Sequence, residues 1–97
     1  MLRKEPGINK MAKHSKPIAQ VKKGDFVTVD GVKYEVDAHY VLIDHGQVKE
    51  MAIELFDKKD NDFQLRYFAD QVDETLEFYE LVGGVMYEKK EVKKIEW

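Results

Sequence analysis

Cysteine is missing from all 97 residues, which excludes disulfides, thiolate nucleophiles and Cys-type zinc sites. Serine occurs once, as Ser15, in a segment with no catalytic context, and Thr28 and Thr75 have no base near them in sequence. Apolar runs extend only a few residues, far short of a membrane span, and no signal-peptide core follows the basic residues at the start. The two prolines, Pro6 and Pro17, with Gly7 between them, argue against a helix in the first residues. These absences describe a soluble, cytoplasmic chain with room for one small domain and a tail.

What is present is charge, unevenly placed. The net charge of -3 divides into two unlike parts. Residues 1–24 carry seven basic side chains (Arg3, Lys4, Lys10, Lys13, Lys16, Lys22 and Lys23) against the single acid Glu5, a balance of +6. Residues 25–97 carry eighteen acids and nine bases, a balance of -9. A basic arm on an acidic body suits contact of the arm with RNA or DNA phosphates and of the body with a basic protein surface. A solubilising leader that folds back on its own acidic domain has the same composition. The reading places a flexible arm at 1–16 and a folded domain at 17–97. Met11-Ala12-Lys13 reads as a second translation start.

The stretch VKKGDFVTVDGVKYEV, residues 21–36, encodes a β-hairpin. Asp30-Gly31 is a two-residue type I′ turn signal, because both central positions need φ > 0. That turn pairs Val29 with Val32, Val27 with Tyr34 and Asp25 with Val36. Val27, Val29, Val32, Tyr34 and Val36 then share one face, and Phe26 is the apolar exception on the other. Residues 38–43 form a second β-prone run, broken by Asp44-His45-Gly46. Residues 48–56 fit either a helical stripe or a strand face, and the flanking turns favour the strand. A charged loop at 57–62 leads to a strand at 63–68. A helical turn or irregular connection follows, then a strand at 76–81. Gly83-Gly84 marks a second hairpin, whose last strand runs to the terminus as an edge guarded by lysines and fastened by Val92, Ile95 and Trp97. Five to seven short strands with almost no helix imply a mainly β fold, a small antiparallel barrel or curled sheet.

The order VKKGDFVTVDGVKYEV then IDHGQVKEMAIELFD resembles the N-terminal SH3-like (KOW-type) domain of the translation factor five-A and elongation factor P family, over residues 21–60. The resemblance implies an SH3-like barrel. It does not carry the family's activity across, because the family works through a modified lysine at the tip of the loop that Gly46 resembles. Here that loop reads Leu42-Ile43-Asp44-His45-Gly46-Gln47, and no second, OB-type domain follows in these residues.

No cofactor or metal is expected. His14, His39 and His45, with Asp37 and Asp44, lack the spacing of a metal motif. Asp57, Asp60, Asn61 and Asp62 fail the calcium-loop pattern and read as a solvated loop. The many carboxylates, such as Asp73, Glu74, Glu77 and Glu80, belong to an acidic surface. Aromatics are the better binding candidates. Phe26, Tyr40, His45, Phe68 and Tyr79 are candidates for a protein-binding patch or for a second small cluster. The chain reads as a non-enzymatic binding module, an accessory factor docking on a nucleoprotein machine such as the ribosome or RNA polymerase, of a size and charge that suit a phage protein. The alternative is an acidic protein-protein or inhibitor module, or a homo-oligomer, with no nucleic-acid role.

Overall fold

The computed structural model describes residues 11–97. Eight strands form one sheet: β1 (Met11–Lys13), β2 (Phe26–Val29), β3 (Val32–Asp44), β4 (Lys49–Phe56), β5 (Asp62–Phe68), β6 (Glu77–Val82), β7 (Met86–Lys90) and β8 (Lys94–Glu96). One four-residue helical turn, α1 (Val72–Thr75), and a 3-10 turn at Ile18–Gln20 interrupt them. The spatial order is β1-β8-β2-β3-β4-β5-β6-β7, and the sheet curls into a half-barrel. The mainly β, barrel-like expectation holds.

The hairpin encoded by residues 21–36 is present in the register its turn requires. Asp30 and Gly31 have φ of 48° and 83°, and Val29 faces Val32 while Val27 faces Tyr34. Asp25 keeps its partner through the Val36 N–H, which donates to the Asp25 carbonyl at 2.8 Å, while Gly24 N–H donates back to the Val36 carbonyl. Four of the five apolar residues on the expected face are buried; Val32 is 50% exposed because it lies at the tip, beyond the core.

β3 is 13 residues long and carries the bend that curls the sheet. Its pairing with β4 slips between Val36 and Ala38 and again between Val41 and Ile43, leaving Asp37 and Leu42 as bulge residues. Each bulge reverses which residues face inward, so that Val36 and His39 both look into the concave side. There Val27, Val36, Ile53, Leu55, Leu65 and Ile95 are sealed from solvent, and Tyr34, Phe63 and Phe78 pack their rings at 4.8–5.4 Å.

Two expectations are corrected. The last thirteen residues do not form one edge strand. β7 is an edge, with Lys89 and Lys90 paired to Glu77 and Glu80, but the chain then turns away at Glu91. β8 crosses to the far side of the sheet and inserts between β1 and β2. The physical reason is Ile95: it faces Val29 and Ala12 and is fully buried, whereas on the β7 edge it would stay wet. The second correction concerns the arm. Residues 11–13 are not disordered but form β1, parallel to β8, and the Ser15 N–H donates to the Trp97 carbonyl at 2.9 Å. The folded unit therefore includes residues 11–16. The part of the arm at 1–10 lies outside the described residues.

Ile95→Ala is expected to destabilise the domain by about 2–5 kcal/mol through a cavity under three strands. Gly31→Val is expected to lose about 1–2 kcal/mol to left-handed strain alone. Urea unfolding of both variants measures these losses.

Candidate functional site

An apolar cleft opens at the end of the half-barrel, where β1 and β8 bring the two ends of the described chain together. One wall is His14 and the turn Pro17, Ile18 and Ala19; the other is Ala69, Val72 and Asp73; Met51, Tyr67 and Trp97 complete it. Its volume is about 350 Å³, room for one or two large side chains. Trp97 is held in place from two sides: its Nε1–H donates to the Lys16 carbonyl at 2.8 Å, and the His14 ring stacks on it at 5.1 Å. Met51 and Tyr67 are cross-strand neighbours, and the next residue along that row is Val41, which is 43% exposed. The apolar floor thus continues out of the cleft along the concave face.

Beneath the floor His39 joins two elements. In its Nδ1–H tautomer it donates to the Val21 carbonyl at 2.7 Å, and its Nε2 accepts from the Tyr67 hydroxyl at 2.7 Å. Burial pushes the Tyr67 phenol up to about 12. This pair has the outline of a base and a hydroxyl nucleophile, but a phenol so raised keeps its proton at neutral pH. Its contribution is to lock β3 and β5 against the entry of β2.

The convex face holds a second cluster around Gln64, which is 2% exposed. Gln64 donates from Nε2 to Glu54 at 2.8 Å and to the Tyr40 hydroxyl at 3.1 Å, and its carbonyl oxygen accepts from Arg66 Nε. Glu54 also accepts the hydroxyls of Tyr40 and of Tyr87, the latter at 2.8 Å. The Arg66 guanidinium lies 4.0 Å over the Tyr79 ring, and the Tyr79 hydroxyl donates to Glu77 at 2.6 Å. Desolvation first, then the hydrogen bonds to Glu54 and Glu77 respectively, raises the Tyr87 and Tyr79 phenols. A buried amide with its partners supplied is a fixed structural unit.

The structure therefore places the aromatic candidates apart. Tyr40 and Tyr79 belong to the Gln64 cluster. Phe68 stacks with His45 at 5.7 Å near the β3–β4 turn. Phe26 lies at the opposite end of the sheet, 49% exposed, with the Lys33 ammonium 4.1 Å over its ring. Of the basic candidates, Arg3, Lys4 and Lys10 lie outside the described residues. Lys13 is exposed on β1, and Lys22 and Lys23 are exposed before β2. Lys16 is held by Asp25 at 2.8 Å, and that contact, with the Lys22 backbone N–H, pulls the Asp25 carboxyl below its usual range. His14, His39 and His45 sit in three separate places, and among the described residues no three His, Asp or Glu side chains converge as a metal site would require. No helix among these residues is long and apolar enough to cross a membrane.

The cleft has no local signature in the sequence. Trp97 and Ile95 stood out as anchors, but the walls come from segments far apart in sequence, and only the β1–β8 pairing unites them. No protein-family model matches the chain, no curated protein is detectably similar to it, and no solved structure matches it.

The raised Tyr67 sets a pH dependence with a definite sign. Below pH 10 the phenol is protonated in both states and its contribution to stability is whole; as pH rises from 10 towards 12 the unfolded chain releases the proton first, and stability falls. Tyr67→Phe is expected to flatten part of that alkaline slope, at a cost near neutral pH of about 0.5–1.5 kcal/mol for the lost hydrogen bond. Urea midpoints across a pH series read both effects.

Proposed function

We propose that this chain is a non-enzymatic binding module that docks on a larger protein or nucleoprotein assembly in the cytoplasm, such as a ribosome or an RNA polymerase. The observation that carries the reading is the apolar cleft beside Trp97. An apolar hollow of this size, with a rigid aromatic wall and an exposed apolar extension at Val41, has the properties of a socket for a partner's anchor residue. The reading is supported by three hydroxyls around this end of the fold that are engaged in hydrogen bonds and so are not free to act as nucleophiles. Ser15 is turned to the Trp97 carbonyl, Thr75 Oγ donates to the Gln71 carbonyl at 2.6 Å, and the Tyr67 hydroxyl is committed to His39. A role as accessory factor of a translation or transcription machine, of phage origin, accords with the SH3-like resemblance over residues 21–60 and with the compact, charged composition.

Contact with RNA or DNA is a second reading, favoured by the exposed Lys13, Lys22 and Lys23, which add to the basic side chains of residues 1–10. Under this reading the acidic body meets protein while the basic segment meets phosphate. Without it, the module is an acidic protein-protein or inhibitor module.

Two comparisons decide between these readings. Capture from the native cytoplasm with the whole chain and with Ala69→Phe, which fills the cleft from an exposed position, is expected to lose the partner in the variant. A partner retained equally by both contradicts the docking reading. Binding of an RNA or DNA oligonucleotide at low and moderate salt tests the second reading: affinity is expected to fall steeply with salt and again on deletion of residues 1–10. Absence of binding at low salt removes the nucleic-acid role.

A further inference from the structure

Resting on the docking reading above, we infer that the cleft beside Trp97 takes a basic protein segment, one that inserts a large apolar side chain between flanking lysines or arginines. The apolar part of this follows from the lining and the volume. The basic part follows from what surrounds them. Asp73 lines the cleft, and Asp70 and Glu74 are exposed beside it on the same connection between β5 and β6. None of these three carboxylates has an ion-pair partner among the described residues, although both acids on the following strand β6 do: Glu77 and Glu80 are matched by Lys89 and Lys90.

Among the described residues no lysine or arginine lines the cleft, and Lys16, next to Pro17 in the chain, has its ammonium turned away onto Asp25. An anchor entering the cleft therefore passes, on one side, negative charge without a cationic partner among the described residues, and the His14 ring with Pro17, Ile18 and Ala19 on the other. An acidic segment would meet like charge there, and a neutral one would leave the acids without a partner. Across residues 11–97 the chain carries eighteen acids and thirteen bases, a balance of -5, which favours a partner of the same positive sign beyond the lip.

The test uses the whole chain and synthetic peptides. Trp97 is the only tryptophan, so its fluorescence reports on the cleft, and the Met51 methyl resonance gives a second signal inside it. A lysine-rich peptide with a central Leu-Phe pair is expected to shift both signals saturably. The same peptide with glutamate flanks is expected to bind at least about tenfold more weakly, as is the lysine peptide against Asp70→Asn/Asp73→Asn/Glu74→Gln, since several exposed charge pairs add to that order. Replacing Leu-Phe with Ala-Ala is expected to abolish the shift.

Equal binding of the glutamate-flanked peptide overturns the inference yet leaves the docking reading standing, because the cleft is still occupied. Failure of every peptide to move Trp97 or Met51 also overturns it, and the capture experiment with Ala69→Phe then decides the docking reading independently. Occupation by a single-stranded RNA oligonucleotide in place of the lysine peptide overturns it as well, by identifying a different class of occupant.

Discussion

The rest of the structure depends on how β8 is caught. Asp30 closes the β2–β3 turn with its backbone and, with the same residue, seizes β8. Its carboxylate accepts the N–H groups of Lys93 and Lys94 at 2.9 and 2.8 Å, and its own N–H donates to the Lys94 carbonyl at 2.8 Å. Three hydrogen bonds at one corner, one acceptor being charged, fix where the last strand enters the sheet. From that corner Ile95 reaches the core, Glu96 faces Thr28, and Trp97 arrives beside His14. Without it, β1 has nothing to pair with and the cleft has no far wall.

The two ends of the sheet differ in the way they are finished. Toward β7 the edge is short and lysine-bearing, its lysines are paired across the strand, and the convex face is locked by the Gln64–Glu54–Arg66 cluster. Toward β1 the sheet ends in a parallel pair only three residues long, and beside it lies the apolar hollow. The Asp30 corner that closes the sheet at β8 is therefore also the one that sets Trp97 beside the hollow, whose apolar floor runs on through Met51 to Val41.

Local features were legible in the sequence, and long-range ones were not. Asp30-Gly31 specified its hairpin to the register, since turn geometry and alternation agree there. Gly83-Gly84 marked the turn between β6 and β7, with φ of 64° and 72°. The strand choice for residues 48–56 followed from flanking turns and is met by β4. The path of β8 was hidden because a strand's partner depends on what else can bury it, and KKIEW alternates equally well on either edge. The ordering of residues 11–16 was hidden for the same reason: MAK carries no strong β signal, and its partner β8 lies at the other end of the chain. The second duty of Asp30 left no trace in local pattern. The aromatics off the core face were legible as a group, but their division between the Gln64 cluster, the Phe68–His45 stack and the isolated Phe26 required the two bulges in β3.

Amide hydrogen exchange, read residue by residue on the whole chain and on Asp30→Gly, measures the central claim most directly. Glycine keeps the left-handed turn and removes only the carboxylate. The account predicts that the amides of Met11, Ser15, Lys94 and Trp97 are protected together in the native chain and lose protection together in the variant, while those at the centre of β4 and β5 keep theirs. Unprotected amides at those four positions in the native chain, or protection that survives Asp30→Gly, would contradict it.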